Sequence, residues 1–289
     1  MLWKRGTGLV VLFPAVAWIL CFTLFPLVYA AWVSLQSMRM GGPSRFVWFQ
    51  NYYRILTDGR VYDVLLTSMF LSIFGVLLTL VLGVGMAWLF SREIRGIRVL
   101  RTLLTMPLFT APVAIAFASI ALFNETDGPI NNILLGLGFS QPVLWLSNPY
   151  LAKITVLLVD SWQWTPFVFI IVLAAMQGIP EDLYEAARIE TKSELAIFRR
   201  VTLPLIMPAL STVAILRLVE TFKILDVPIN LTAGGPGSAT QTYSYYTYVV
   251  GLKNFNLGYG AALSWALVLV CAVLASIFFS LNKKRYEEV

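Results

Sequence analysis

QGIPEDLYEAARIETKSELAIFRRVTLPLIMP, residues 177–208, is the longest polar, charge-dense segment in an otherwise apolar chain, and its reading decides what the apolar remainder is for. Pro180 suits the first position of a helix, and Glu181 and Asp182 place negative charge where the helix dipole is positive. Leu183, Ala186, Ala187 and Glu190 recur at helical spacing, so Ala186 and Ala187 form a small, flat patch on one face. Thr191-Lys192-Ser193-Glu194 reads as a capping box that opens a second helix, with Leu195, Phe198 and Val201 or Thr202 on its buried side. Pro204 then breaks the pattern. The spacing predicts two short helices joined by a turn, a compact elbow; the plainer alternative is a solvated loop between apolar segments.

The surroundings of this elbow are membrane-like. The chain has 289 residues, of which 58% are hydrophobic and 12% charged, and its mean hydropathy is +0.78. No soluble fold needs that much apolar surface, so the composition predicts an all-α, polytopic membrane bundle. The formal charge of +6 carries no nucleic-acid signal, because the basic residues flank apolar runs. Cys21 and Cys271 lie deep in apolar runs at opposite ends and read as small buried hydrophobes, not a disulfide. Histidine is absent, which removes imidazole catalysis and His-ligated metals. The N-terminal apolar run is too long for a signal h-region, lacks a small-residue cleavage site, and reads as a retained first span.

A bilayer crossing needs about 20 apolar residues. Six segments qualify: 9–34, 65–90, 103–123, 151–176, 205–229 and 261–281. They suggest a first span with an outer loop (1–64), a core of five spans containing the elbow 177–204 (65–281), and a tail (282–289). Six spans put both termini on one side. Lys4, Arg5, Arg92, Arg95, Arg98, Arg101, Arg188, Lys192, Arg199, Arg200, Lys283, Lys284 and Arg285 fall on that side. Only Arg39, Arg45, Arg54, Arg60, Lys153 and Lys253 fall on the other, so the bias places both termini and the elbow in the cytosol. The four arginines of the first outer loop run against this bias. The same loop carries Phe46-Val47-Trp48-Phe49-Gln50-Asn51-Tyr52-Tyr53, aromatic enough to lie along the membrane surface, or simply to anchor as an aromatic belt.

Within the spans, Gly75, Gly83 and Gly85 would let helices approach closely, and Pro107 and Pro112 predict a kinked third span. The fourth span bears Asp160, Trp162 and Trp164 beside Pro166; a charge there must face the bundle or water, and aromatic faces stack on sugar C–H groups. These residues read either as a pathway wall or as an interfacial Trp belt. In the fifth span Glu220, Lys223 and Asp226 share one helix stripe, next to Arg217 and Thr221. That stripe is expected to point inward, touching a polyhydroxylated solute, binding neighbouring helices, or both.

Glu185-Ala186-Ala187, followed by Phe198 and Leu203-Pro204, resembles the EAA loop of permease subunits of bacterial ATP-binding-cassette importers. The runs from Arg101 through Pro107 to Asn131, from Phe222 and Lys223 through Leu231-Thr232 to Gly234-Gly235-Pro236, and from Tyr259 to Ser264 are similar to the carbohydrate-importing branch, of maltose or glycerol-phosphate type. The resemblance implies a MetI-like permease fold. It implies that Glu185, Ala186, Ala187, Arg188, Thr191, Phe198, Leu203 and Pro204 couple to an ATPase, and it favours Trp164, Glu220, Thr221 and Lys223 as pathway residues, beside which the span reading sets Asp160, Trp162 and Asp226. It places Gly234, Gly235 and Pro236 in an outer loop. Where the family has an acidic residue, Gly and Ala after this motif, the chain has Glu190, Thr191 and Lys192, so the Thr191 cap is expected to hold the turn.

No Gly-x-x-x-x-Gly-Lys-Ser/Thr occurs, so nothing here cradles ATP phosphates. The expectation is a non-catalytic permease subunit of a bacterial or archaeal cytoplasmic membrane, without a cofactor of its own. It would be partnered by a second, homologous permease, by two ATPase subunits that bind ATP and Mg, and by an extracytoplasmic solute-binding protein. A di- or oligosaccharide, polyol or sugar phosphate is the expected solute, and membrane lipid surrounds the spans. The competing readings are an ion-gradient-driven secondary transporter using Glu220 and Asp226, and a membrane enzyme using Asp160 and Glu220.

Overall fold

Backbone polar groups inside a bilayer must be satisfied within the chain, and long apolar runs therefore close their hydrogen bonds as helices. The computed structural model describes residues 5–91 and 96–287. Helix α1 (Arg5–Ile19) passes through a π-helical turn at Leu20–Leu24 into α2 (Phe25–Ser34). A small antiparallel ribbon pairs β1 (Gln36–Ser37) with β2 (Arg45–Phe46), Gln36 opposite Phe46. Then come α3 (Gln50–Thr57), α4 (Gly59–Phe90), α5 (Ile97–Thr105), α6 (Pro112–Leu122), α7 (Pro129–Gly136) and α8 (Pro149–Gln177). The elbow is α9 (Glu181–Glu190) and α10 (Glu194–Ile197) with a π-helical turn at Phe198–Thr202, followed by α11 (Leu203–Phe222) and α12 (Asp226–Leu231). α13 (Tyr243–Tyr248) and α14 (Leu257–Glu287) complete the described chain.

Among the described residues five helical segments are long and apolar enough to cross a membrane: Leu12–Ser34, Gly59–Phe90, Pro149–Gln177, Glu194–Phe222 and Leu257–Phe278. A sixth arises if Ile97–Phe109 and Pro112–Leu122 count as one span, and the two halves meet at 101°. The segment expected as a kinked third span is therefore two helices separated by a sharp break. Thr110 and Ala111 are extended before Pro112, whose ring disfavours helical backbone in the residue preceding it. The fifth span also ends early, at Phe222 rather than 229. The amide of Lys223 tightens onto the carbonyls of Val219 and Glu220, and Pro228, with no N–H to give, sits in the first turn of α12. Cys21 is exposed and Cys271 half-buried, so neither is the buried hydrophobe expected from its setting. Lys4, Arg92 and Arg95, part of the topology count, lie outside the described residues.

The chain divides into two compact units, Met1–Tyr62 with Tyr246–Ala272, and Asp63–Tyr245 with Val273–Val289. In the first, Asp58 is a hub: Oδ1 accepts from the Arg60 amide at 3.1 Å, and Oδ2 accepts from the hydroxyls of Tyr246 and Tyr259 at 3.0 Å each. Burial, together with that bond to Asp58, pushes the Tyr246 hydroxyl up to about 12. Asn51 Nδ2 donates to the carbonyls of Ser34 and Gln36, tying α3 to the end of α2 and to the ribbon. The aromatic run 46–53 is thus not one amphipathic segment. Phe46 ends a strand, Trp48 turns with φ 52°, and α3 starts at Gln50.

In the second unit α8 is the organising helix. Its Val156 and Val159 pack with Leu71, Ile115, Ile224 and Val227, and its Val168, Phe169 and Val172 pack with Ala87, Ile206 and Val213. Lipid tails are as apolar as these side chains, so close packing rather than escape from water holds such helices together. Glycine makes that packing possible at Gly83, where a methyl group would sit 2.6 Å from Val168 Cβ. One at Gly75 would make ordinary contacts, 3.4 Å from Thr221 Cγ2 and 3.7 Å from Asp160 Oδ2. Gly85, by contrast, faces open space.

Candidate functional site

The elbow forms as its local chemistry dictates, with the cap of its second helix at Ser193, two residues later than the sequence suggested. Pro180 is the residue before α9, and Glu181 and Asp182 occupy the first turn. Thr191 is extended (φ −149°, ψ 143°) and closes α9, while Ser193 caps α10 by accepting from the Ala196 amide at 3.3 Å. The box Thr191–Glu194 therefore does not form as a reciprocal cap. Thr191 holds the turn another way, its Oγ1 accepting from the Ser193 amide at 3.2 Å. Starting the helix later, and underwinding it through the Phe198–Thr202 π turn, changes which side is buried. Ile197 and Thr202 are buried and Phe198 half-buried, whereas Leu195 is exposed.

Three contacts hold the elbow together and seat it on the helices beneath it. The rings of Trp88 and Phe198 lie 5.3 Å apart between centroids. Thr202 Oγ1 donates to the Tyr184 hydroxyl at 3.3 Å, and Leu203 packs against the Ala87–Val213 cluster. Between them remains a cleft of about 280 Å³ lined by Trp88, Met176, Tyr184, Arg188, Phe198 and Thr202. On the outside, Glu185, Ala186 and Pro204 are exposed, Ala187 is half-buried, and Arg188 pairs with Glu181 at 3.1 Å in open solvent. Such an exposed pair contributes about 0–1 kcal/mol, so it decorates the face rather than building it. Ile189, which the sequence reading passed over, is 88% exposed. A branched apolar side chain so fully presented by a polar helix marks a face that something covers.

The polar residues of the spans are not gathered into one wall. Asp160 is buried, and its partner is Arg217, which the sequence reading left out of the site: Arg217 Nη2 donates to Asp160 Oδ2 at 2.7 Å. Arg217 is 0% exposed, its guanidinium lies 4.9 Å from the centre of the Trp164 ring, and Nε and Nη1 have no hydrogen-bond partner among the described residues. Thr221 is buried next to it and donates to the Arg217 carbonyl. Trp162 lies on the exposed face of α8, away from this pair.

The expected stripe Glu220–Lys223–Asp226 is broken. Lys223 Nζ bonds Glu220 Oε1 at 2.8 Å with the two side chains 49% and 42% exposed, so this pair does not point into the protein. Asp226 opens α12 beyond the break and its carbonyl accepts from Asn230. The signal for Arg217 was present in the sequence, as an arginine in the middle of a span with a carboxylate elsewhere in the bundle to neutralise it. Gly234 (φ 81°) turns the chain in the loop 231–238, where a side chain would strike Gln241 Cγ at 2.8 Å and Tyr245 Cε1 at 2.9 Å. Tyr245 in turn donates to the Ala233 carbonyl, and Gly235 and Pro236 complete that turn, accepting from Thr240 Oγ1 and the Ala239 amide.

A family model described as "Binding-protein-dependent transport system inner membrane component" matches residues 79–285. The trehalose/maltose transport system permease protein MalF of Thermococcus litoralis is 31% identical, over 97% of this chain and 94% of that protein. The sn-glycerol-3-phosphate transport system permease protein UgpA of Escherichia coli is 31% identical, over 92% of this chain and 91% of that protein. Among solved structures, a chain of a bacterial alginate ABC transporter, crystallised with an alginate pentasaccharide-bound periplasmic protein, superposes with TM-score 0.84 at 20% identity, covering 95% of this chain and 93% of that one. A chain of the MetNI methionine ABC transporter superposes with TM-score 0.56 at 18% identity, covering 81% and 98%. At those identities the likeness is one of fold.

Proposed function

The chain belongs to the family of binding-protein-dependent transport system inner membrane components, and from that premise we propose that it forms one half of a sugar pathway driven by separate ATPase subunits. The observation that carries the proposal is the elbow. A folded, polar pair of short helices, seated on α4 through Trp88 and Phe198 and closed on itself by Thr202 and Tyr184, presents Glu185, Ala186 and an 88% exposed Ile189 outward. A lever of this kind has use only if a soluble partner moves it. Two ATPase subunits binding ATP and Mg supply that motion, and this chain binds neither.

In the proposed cycle, closure of the ATPase pair draws together the elbows of this chain and of a second, homologous permease. Thr191, Phe198, Leu203 and Pro204 transmit the displacement into α11, and the pathway between the two permeases changes the side to which it is open. Arg188 adds charge to the docking face. An extracytoplasmic binding protein delivers solute at the loop containing Gly234, Gly235 and Pro236. Both termini and the elbow lie in the cytosol, as the Lys and Arg distribution favours.

The relatives' names favour a sugar-like solute: a di- or oligosaccharide, a polyol or a sugar phosphate. Within this chain the pathway residues are Trp164, Asp160 and Thr221, with Arg217 added to them, and the half-exposed Glu220–Lys223 pair. Trp162 and Asp226 stand apart from that cluster and belong to the pathway only through surfaces shared with the second permease. The ion-gradient alternative, built on Glu220 and Asp226, is not favoured: the relatives are permeases of binding-protein-dependent transport systems, and Glu220 already pairs with Lys223. A membrane enzyme built on Asp160 and Glu220 would need Asp160 free, and Arg217 holds it.

The test is reconstitution of the chain with its second permease, ATPases and binding protein in proteoliposomes. ATP-dependent uptake of a sugar identified by thermal shift of the binding protein is the expected outcome. Uptake that follows an ion gradient and ignores ATP would overturn the reading.

A further inference from the structure

The four arginines of the first outer loop oppose the charge bias of the rest of the chain, and nothing in the transport reading uses them. Two of them, Arg45 and Arg54, stand on either side of an open groove of about 700 Å³ between the ribbon and α3, with Ser37, Phe46, Gln50 and Tyr53 completing its walls. Neither arginine has an ion-pair partner among the described residues; Arg54 instead stacks its guanidinium 4.2 Å from the centre of the Tyr259 ring. The frame around the groove is fixed. Asn51 bonds the carbonyls of Ser34 and Gln36, Ser34 Oγ lies 2.8 Å from the Tyr52 hydroxyl, and the Val47 amide donates to Leu35. Two unneutralised guanidinium groups on a rigid frame suit a phosphate-like anion.

Depth and apolar surface select the source of that anion. The first span ends at Ser34 and the next helix begins at Gly59, so groove residues 37 to 57 start and finish within two or three residues of the spans. At 3.3–3.6 Å per residue that is no more than roughly 10 Å, the depth of lipid headgroups. Beside the groove Trp48 is 67% exposed and held at φ 52°, and Phe49, Tyr53 and Leu56 are exposed as well. Aromatic side chains of this kind settle at the membrane–water interface. A soluble phosphate would explain the arginines and leave that apolar rim without a role. We propose that this groove binds the phosphodiester headgroup of an anionic membrane lipid, clasped by Arg45 and Arg54, with Trp48 and Phe49 sunk into the surrounding interface.

The proposal rests on the chain being an integral membrane permease, and its test separates the two. The assembled importer is purified in detergent, supplied with equal amounts of phosphatidylglycerol and phosphatidylcholine, and examined by native mass spectrometry for retained lipid. Solute-stimulated ATP hydrolysis by the same preparation reports independently on the transport reading. The wild type should retain phosphatidylglycerol selectively. One cation near an anionic lipid is worth about 1 kcal/mol, so Arg45→Gln should lower its retention ~fivefold and Arg45→Gln with Arg54→Gln ~25-fold. Arg45→Lys should restore most of the loss. Arg54 also touches Tyr259, which makes Arg45→Gln alone the decisive variant if the double variant fails to assemble. Retention of both lipids unchanged by Arg45→Gln would overturn the proposal. So would displacement of the lipid by millimolar inorganic phosphate, which would identify a soluble-anion site, and so would loss of binding-protein association with lipid retention intact, which would identify a protein dock.

Discussion

Arg217 and Asp160 form a buried ion pair across 2.7 Å, joining α11 to α8 within the membrane-spanning part of the second unit. Removing one partner of such a pair leaves an uncompensated charge, at a cost of about 3–5 kcal/mol. Arg217→Met should therefore lower the melting temperature and yield of the purified complex sharply. Adding Asp160→Asn to it should recover much of the loss, which a double-mutant cycle by thermal unfolding would measure. Additive losses would show that the two residues act separately.

Lys223 and Glu220 make the contrasting pair, about half exposed at 2.8 Å. An ion pair so open to solvent contributes about 0–1 kcal/mol to stability. Lys223→Ala should leave unfolding temperature and subunit assembly nearly unchanged while lowering solute uptake several-fold. Trp164→Ala, which removes the ring beside Arg217, should lower uptake as well. Normal uptake in both variants would remove these residues from the pathway.

Gly83 and Gly85 are two residues apart on α4 and meet different surroundings. Alanine at 83 must push against Val168 Cβ at 2.6 Å, which a branched side chain on a packed helix cannot yield cheaply, whereas alanine at 85 meets nothing within 4 Å. Overpacking of this kind costs about 1–3 kcal/mol. Gly83→Ala should destabilise the complex in thermal unfolding, and Gly85→Ala should be neutral or slightly stabilising.

Glu125 accepts from the Leu146 and Ser147 amides and from Ser147 Oγ, linking the start of the α6–α8 connection to its end. Burial works against its ionisation, but the hydrogen bonds from Ser147 and Leu146 outweigh it and hold the carboxyl below its ordinary 4.5. A depressed folded-state value means that this link is fully present above about pH 4.5 and is lost as pH falls through the folded value. The protection of the Leu146 and Ser147 amides from hydrogen exchange, relative to the intrinsic rate at each pH, should be high at neutral pH and fall in that acidic window. Glu125→Gln should abolish this pH-dependent loss of protection.

What the sequence made legible was local. The first, second, fourth and sixth spans, the elbow's helix–turn–helix form and the turn-holding role of Thr191 all follow from residues within a few positions of one another. The phase of the second elbow helix was not, because Thr191 and Ser193 are both competent caps and the Phe198–Thr202 π turn leaves no sequence mark. The Arg217–Asp160 pair spans 57 positions and escapes any spacing rule. The stripe that spacing did suggest assumed a helix running past Phe222, and the chain breaks there. The aromatic residues 46–53 likewise lost their apparent continuity to a ribbon that pairs β2 with residues before the loop.

The central claim is that the elbow carries an ATPase's motion into the spans, and its most direct test is ATP hydrolysis by the reconstituted complex, measured with and without solute-loaded binding protein. With Glu185→Ala or Ile189→Asp, basal hydrolysis by the ATPase subunits should persist while stimulation by the loaded binding protein is lost, for every solute equally. Stimulation equal to that of the wild type in both variants would contradict the account.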